Sequence, residues 1–265
     1  VSDSNILQGE EIASRFNIPF YPNIDDLLDN VDAVSIAVPT SLHLDIARKV
    51  SSFGVNMLIE KPLSMNPADS EEIIELANKN KVKLAVGHIE RYNPVIKHAK
   101  EEITNGNWGE IITLSSKRVS HYPDRITDVG VVFDLGIHDL DILSYLCGEK
   151  VLSVYAVGGS KKLEAKEDFV SIILNFENGK VGYCEINWLT PMKIRKLGIT
   201  TSTHFIELDY TNQSIVVFKS TFKEVVPGNL YNTKVEFKEE SIPIEKGEPL
   251  LIELHNFLSS VINGK

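Results

Sequence analysis

The chain has 265 residues, 43% hydrophobic and 24% charged, the make-up of a globular protein with one large domain or two small ones. Its formal net charge of −10 gives no counterion-release advantage on DNA or RNA, so general nucleic-acid binding is excluded and an anionic substrate would need a local basic pocket. No apolar run approaches the ~20 residues of a membrane helix. No charged-then-apolar leader is visible, and Cys147 and Cys184 show neither metal spacing nor a disulfide framework, so they read as reduced core thiols of a cytoplasmic protein.

In chain order, Val1-Ser2-Asp3 reads as the tail of a strand and Glu10 to Phe16 as a short helix, with Ile12 and Phe16 on one face. Asp32 to Val38 is a β-branched apolar run that stops at Pro39. Leu42 to Phe53 is helical, with Gly54 as its stop, and Val55 to Ile59 is a second buried strand. Asn66 and Pro67 open a helix that runs to Asn80, and Val82 to Val86 is a third strand. Near-continuous apolar strands alternating with helices specify a doubly wound parallel α/β sheet, which binds ligands at the carboxyl ends of its strands.

Beyond about residue 95 the pattern changes. A helix (Val95 to Thr104), a strand (Ile111 to Val119) and a helical stretch (Phe133 to Leu146) precede a series of strands: Val151–Val157, Phe169–Phe176, Val181–Trp188, Ile194–Thr200, Phe205–Tyr210 and Ile215–Phe218. Glu177-Asn178-Gly179-Lys180 signals a hairpin. Together these predict an α+β domain with a large open, mostly antiparallel sheet, closed by an amphipathic helix from Pro249 to Ile262. The division expected is 1–94 and 95–265.

Four segments carry chemistry. Pro39-Thr40-Ser41-Leu42-His43 follows a buried strand and opens a helix, where backbone N–H groups face a phosphate or ribose or where Thr40 and Ser41 simply cap. Glu60-Lys61-Pro62 ends the next strand and projects a lysine into the crevice or into solvent. Gly87 to Pro94 ends the third strand, and there Arg91 and Asn93 either bind a polyhydroxylated ligand or pack between domains. Asp134 and His138 are four apart and share a helix face, with Gly136 between them allowing close approach. A carboxylate beside a histidine fixes its tautomer and raises its basicity, although a plain ion pair has the same spacing. Asp134, His138 and Asp141 lack the further ligands a metal site needs. Lys117, Arg118, His121 and Arg125 form a basic run in which Arg118 and Arg125 are candidates for docking a diphosphate, the alternative being a solvated basic loop.

Taken together and in this order, Glu60-Lys61-Pro62, Gly87-x-x-x-Arg91-Tyr92-x-Pro94 and Asp134-x-Gly136-x-His138-x-x-Asp141 resemble the glucose–fructose oxidoreductase, inositol dehydrogenase and rhizopine catabolism (Gfo/Idh/MocA) family over essentially the whole chain. The wording GHIERYNP and VVFDLGIHDLDIL most resembles its subgroup that oxidises UDP-N-acetylglucosamine at C3. The resemblance implies a Rossmann domain followed by a substrate domain, and an NAD(P)-dependent dehydrogenase that works as a homo-oligomer, with a second copy against the uncovered sheet face. It places Lys61 beside nicotinamide and substrate, and Asp134 and His138 at the reacting hydroxyl. His138 then accepts the proton while Lys61 polarises the oxygen.

The resemblance also implies that Asp3 and Ser4 meet the adenosine ribose, and that Pro39, Thr40, His43, Glu60, Lys61 and Ile89 line the remainder of the cofactor. A carboxylate at Asp3 favours NAD over NADP, whose 2′-phosphate it repels. The family's Gly-x-Gly-x-x-Gly/Ala turn is absent from these residues, so the chain is expected to be part of a longer polypeptide. The substrate expected is a sugar or nucleotide sugar. A free sugar or inositol is the alternative, and a non-catalytic sugar-binding protein on the same scaffold is the reading from another class.

Overall fold

The computed structural model describes residues 1–123, 129–162, 166–224 and 234–264. The chain forms two compact units, one made of Val1–Gly87 with Glu253–Lys265 and the other of His88–Ile252. Most of the closing helix groups with the first unit.

In the first unit, α1 (Ile6–Phe16) begins earlier than its apolar spacing suggested, because the Asn5 side chain accepts the Gln8 N–H and caps it. A short helix α2 (Ile24–Leu28), capped by Asn23, was not anticipated. Strands β1 (Ala33–Ile36), β2 (Asn56–Glu60) and β3 (Leu84–Gly87) pair in parallel in that order. Between them run α3 (His43–Ser52), after a 3-10 turn at Thr40–Leu42, and α4 (Pro67–Asn80). α4 has the bounds its signals dictate, since the Asn66 side chain accepts the Asp69 N–H at 2.9 Å and Pro67 takes the first turn. Ile36, Met57 and Ile59 of the strands pack with Ala47, Val50, Ile73 and Ala77 of the helices in one apolar core. Val1–Asp3, expected as a strand tail, joins no sheet; its backbone is held by the Pro19–Tyr21 segment instead.

The second unit begins with α5 (Pro94–Thr104) and β4 (Ile111–His121). A π-helical turn (Val132–Gly136) leads into α6 (Ile137–Cys147). There follow β5 (Val151–Gly159), β6 (Phe169–Phe176), β7 (Val181–Asn187), β8 (Leu189–Thr201), β9 (Phe205–Asp209), β10 (Ser214–Glu224) and β11 (Lys234–Ile242), then α7 (Pro249–Asn263). The sheet order is β11-β10-β9-β8-β4-β7-β6-β5, antiparallel throughout except where β4 meets β7. The predicted hairpin joins β6 to β7, with Asn178 and Gly179 both at positive φ, the geometry an Asn-Gly pair tolerates best.

Alternation along the strands separates two faces. Leu114, Ile172, Cys184, Ile186, Leu197, Ile199 and Leu208 are buried in one core with Ile96 of α5 and Ile142, Leu143 and Leu146 of α6. On the other face Tyr155, Ile173 and Tyr183 are register partners on neighbouring strands and are all exposed. Among the described residues no helix is long and apolar enough to cross a membrane.

In the first unit, α7 brings Leu258, Val261 and Ile262 alongside Val31, Ala33 and Asn56. It also buries Glu253, 1% exposed, whose carboxyl oxygens find no hydrogen-bond partner among the described residues. Burial, and then the charge of Glu60, push this carboxyl up to about 7 from its ordinary 4.5. A carboxyl whose folded pKa is raised favours the fold while protonated. Its ionisation therefore draws ~3 kcal/mol from stability as pH rises from about 5 to about 8. Glu253→Gln is expected to be near neutral at about pH 5 and to raise the melting temperature at about pH 8. Thermal unfolding at both pH values checks this, and an unchanged pH slope in the variant would sink it.

Candidate active site

In the first unit the crevice is formed by the turns that leave the carboxyl ends of β1 and β2. His43 joins them. Its Nε2 lies 3.0 Å from the Val38 carbonyl oxygen, and its Nδ1 lies 3.1 Å from that of Pro62 and 3.2 Å from that of Leu63. The ring is 1% exposed and holds the two turns in place. No side chain caps the 3-10 turn at Thr40–Leu42, which leaves backbone N–H groups there as donors for a phosphate or ribose. This suits a dinucleotide.

Lys61 follows β2, with a cis peptide to Pro62, and its backbone N–H donates to the Glu60 carboxylate at 3.3 Å. The Asp3 carboxylate accepts the Asn5 N–H at 2.8 Å through one oxygen, and Ser4 is exposed. Lys61 thus belongs to the first unit, while Ile89, Asp134 and His138 belong to the second.

In the second unit Asp134 sits inside the π-helical turn and His138 in the first turn of α6. A π turn at a chemistry-bearing motif is a recurrent feature of functional sites, and it stands where one helical stretch from Phe133 to Leu146 is expected. Glu167 fixes the start of this segment. Its carboxylate accepts the Val132 N–H at 3.1 Å and its carbonyl accepts the Val131 N–H at 2.9 Å. A Cβ at Gly136 would stand 3.1 Å from the Ile186 side chain, so the glycine lets the turn press closely onto β7.

Two arginine clamps hold α6. Arg118 is 1% exposed; its Nε donates to Asp139 at 2.6 Å, its Nη1 donates to Glu90 at 2.8 Å, and its guanidinium lies over the Tyr210 ring. Burial opposes its charge, but Asp139 and Glu90 outweigh burial and raise its pKa. Arg91 grips Asp141 through Nε at 2.8 Å and Nη2, and stacks over Tyr145. His88 stands 3.6 Å from the same carboxylate.

These contacts engage three residues expected to bind substrate. Arg118 is committed internally. Neighbours on a strand point to opposite faces, so Lys117 pairs with Glu185 on the outer face while Arg118 turns inward, and the basic run is not a cluster. Asn93 is buried; it caps α5 by accepting the Val95 N–H and donates to the Tyr210 carbonyl. Arg91 is already paired. Arg125 lies outside the described residues. Among the described residues, no group of three or more His, Cys, Asp and Glu is placed to hold a metal ion.

Residues 1–88 match the family model described as "Oxidoreductase family, NAD-binding Rossmann fold" of the Gfo/Idh/MocA type, and residues 96–216 match the Gfo/Idh/MocA C-terminal domain. The chain is similar to UDP-N-acetylglucosamine 3-dehydrogenase of Acidithiobacillus ferrooxidans, with 28% identity over 98% of this chain and 80% of that one. A solved structure of that enzyme covers 100% of this chain, and 81% of its own, with a TM-score of 0.89. An inositol 2-dehydrogenase of Rhizobium meliloti is 31% identical over 57% of this chain and 48% of its own length. Levoglucosan dehydrogenase in complex with NADH and levoglucosan shares the fold, with 21% identity, a TM-score of 0.81, and coverage of 99% of this chain and 80% of its own.

Proposed function

The chain belongs to the Gfo/Idh/MocA family of NAD-binding oxidoreductases, and from that premise we propose that it oxidises a secondary hydroxyl of a sugar, C3 of a UDP-N-acetyl amino sugar. The observation that carries the substrate class is the similarity to UDP-N-acetylglucosamine 3-dehydrogenase along 98% of the chain. Alcohol oxidation needs a proton to leave oxygen as hydride leaves carbon. His138 takes that proton, Asp134 sets its tautomer and basicity, and Lys61 stabilises the negative charge growing on the oxygen. NAD, when bound, supplies the hydride acceptor. Asp3 and Ser4 would hold its adenosine ribose, the turn at Pro39 and Thr40 its backbone-facing oxygens, and Glu60, Lys61 and Ile89 the nicotinamide side.

A second reading, oxidation of a free sugar or inositol, draws on the inositol 2-dehydrogenase, whose identity is slightly higher but whose match stops near half of each chain. A panel of UDP-sugars and free polyols, followed by NADH absorbance, separates the two. Turnover is expected with UDP-N-acetylglucosamine. Turnover confined to uncharged polyols would transfer the assignment to the second reading, and none with any sugar would leave a binding protein.

A further inference from the structure

Strands β4 and β8 are neighbours, and their register sets Arg195 directly opposite Arg118. Opposed residues of an antiparallel pair emerge on the same face. Ser116–Leu197 and Leu114–Ile199 continue that face into the buried core, so Arg195 is on the helix-covered side. Two residues further along β8, just past the last regular pair Val119–Ile194, comes Lys193, exposed. A buried arginine on β4 is thus followed by a half-buried arginine and an open lysine on β8.

Two of the carboxylates nearby are already engaged. Glu90 and Asp139 already accept hydrogen bonds from Arg118. Arg195 reaches Glu90 only at 3.8 Å, and among the described residues its side chain makes no hydrogen bond. Lys193 forms no ion pair among them. Asp134, one of the residues at the reacting hydroxyl, is close enough to act on Arg195 electrostatically. Crowding leaves its mark: burial and then Arg118 lower the Arg195 pKa, and Arg195 in turn lowers that of Lys193. In a chain of net charge −10, cations gathered at such cost next to chemistry-bearing residues mark the place where negative charge belongs.

We propose that Arg195 and Lys193 form the anion subsite of the substrate pocket and bind the phosphoryl oxygens of a nucleotide sugar. This rests on the UDP-sugar reading above and replaces the role first given to Arg118. Arg195 offers a planar fork for two oxygens of one phosphoryl group, and Lys193 a mobile point charge for its neighbour. The arrangement places negative charge on the far side of Arg195 from the buried Arg118 pair.

The test is calorimetric titration of UDP, uridine and glucuronate into the intact protein with NAD present, for wild type, Lys193→Gln, Arg195→Gln and Arg195→Lys. UDP is expected to bind wild type, to weaken about 10-fold or more in each Gln variant, the scale of one charge-assisted hydrogen bond, and to fall between in Arg195→Lys. Uridine should bind all four alike. The dependence of UDP affinity on salt should flatten in the Gln variants. If UDP binds wild type and both Gln variants equally, the subsite assignment is overturned while the UDP-sugar reading stands. If wild type takes no UDP, that reading fails, and glucuronate binding that depends on both residues would replace the phosphoryl group with a carboxylate. Should Arg195→Gln fail to fold, Lys193→Gln and Arg195→Lys decide the matter.

Discussion

Arg118→Ala is expected to lower the stability of the protein by about 3–5 kcal/mol, a large share of the ~5–15 kcal/mol that holds a typical protein folded. The cost arises from what the substitution leaves behind. Asp139 and Glu90 are both buried; Asp139 would lose the cation that neutralises it, and Glu90 would keep only Arg195 at 3.8 Å. Arg118→Lys should fall between, since an ammonium keeps the charge and loses the fork that serves two carboxylates at once. Adding Asp139→Ala to Arg118→Ala should cost well below the sum of the two single changes, because both break the same pair. Chemical unfolding midpoints measure all four proteins. A loss under about 1 kcal/mol for Arg118→Ala would show that the guanidinium is not the tie between β4 and α6.

His138→Asn is expected to reduce turnover by roughly 10²–10⁴, the scale of losing a general base, with the melting temperature and NAD affinity near wild type. Lys61→Ala should cost a similar factor by removing the group that stabilises the developing oxyanion. The two defects differ in their pH profiles. Loss of His138 removes the inflection of a base with a reference pKa of about 6.5, and loss of Lys61 leaves it in place. Steady-state kinetics across pH settles both assignments, and near-wild-type turnover in His138→Asn would refute the proton-acceptor role.

Elements whose ends carry their own chemistry were legible in the sequence. α4 has Asn66 and Pro67 at its start, and the β6–β7 turn has Asn178-Gly179; both appear where the residues put them. β11 was missed because Lys234–Ile242 is rich in charge, a composition that suits a sheet edge and hides a strand from any search for apolar runs. Helical periodicity cannot say which unit a helix joins, and α7 joins mostly the first. At the site, the order of motifs was readable, but which side chains face one another was not. Lys117 and Arg118 adjoin in the chain and part in space, whereas Arg118 and Arg195 are distant in the chain and meet through strand register. No one-dimensional pattern encodes that register, so the cationic pair on β8 escaped notice.

The return of α7 to the parallel-sheet unit has a consequence for how the molecule comes into being. His88–Ile252 is one uninterrupted stretch, so a nascent chain can complete that unit as soon as its last strand leaves the ribosome. The parallel-sheet unit, although begun earlier, must wait, because the part of α7 that belongs to it follows the whole of His88–Ile252. Synthesis and assembly therefore run in opposite orders here. The surface that buries Phe257 of α7 stays uncovered for the whole interval, a window in which a chaperone would have something to hold.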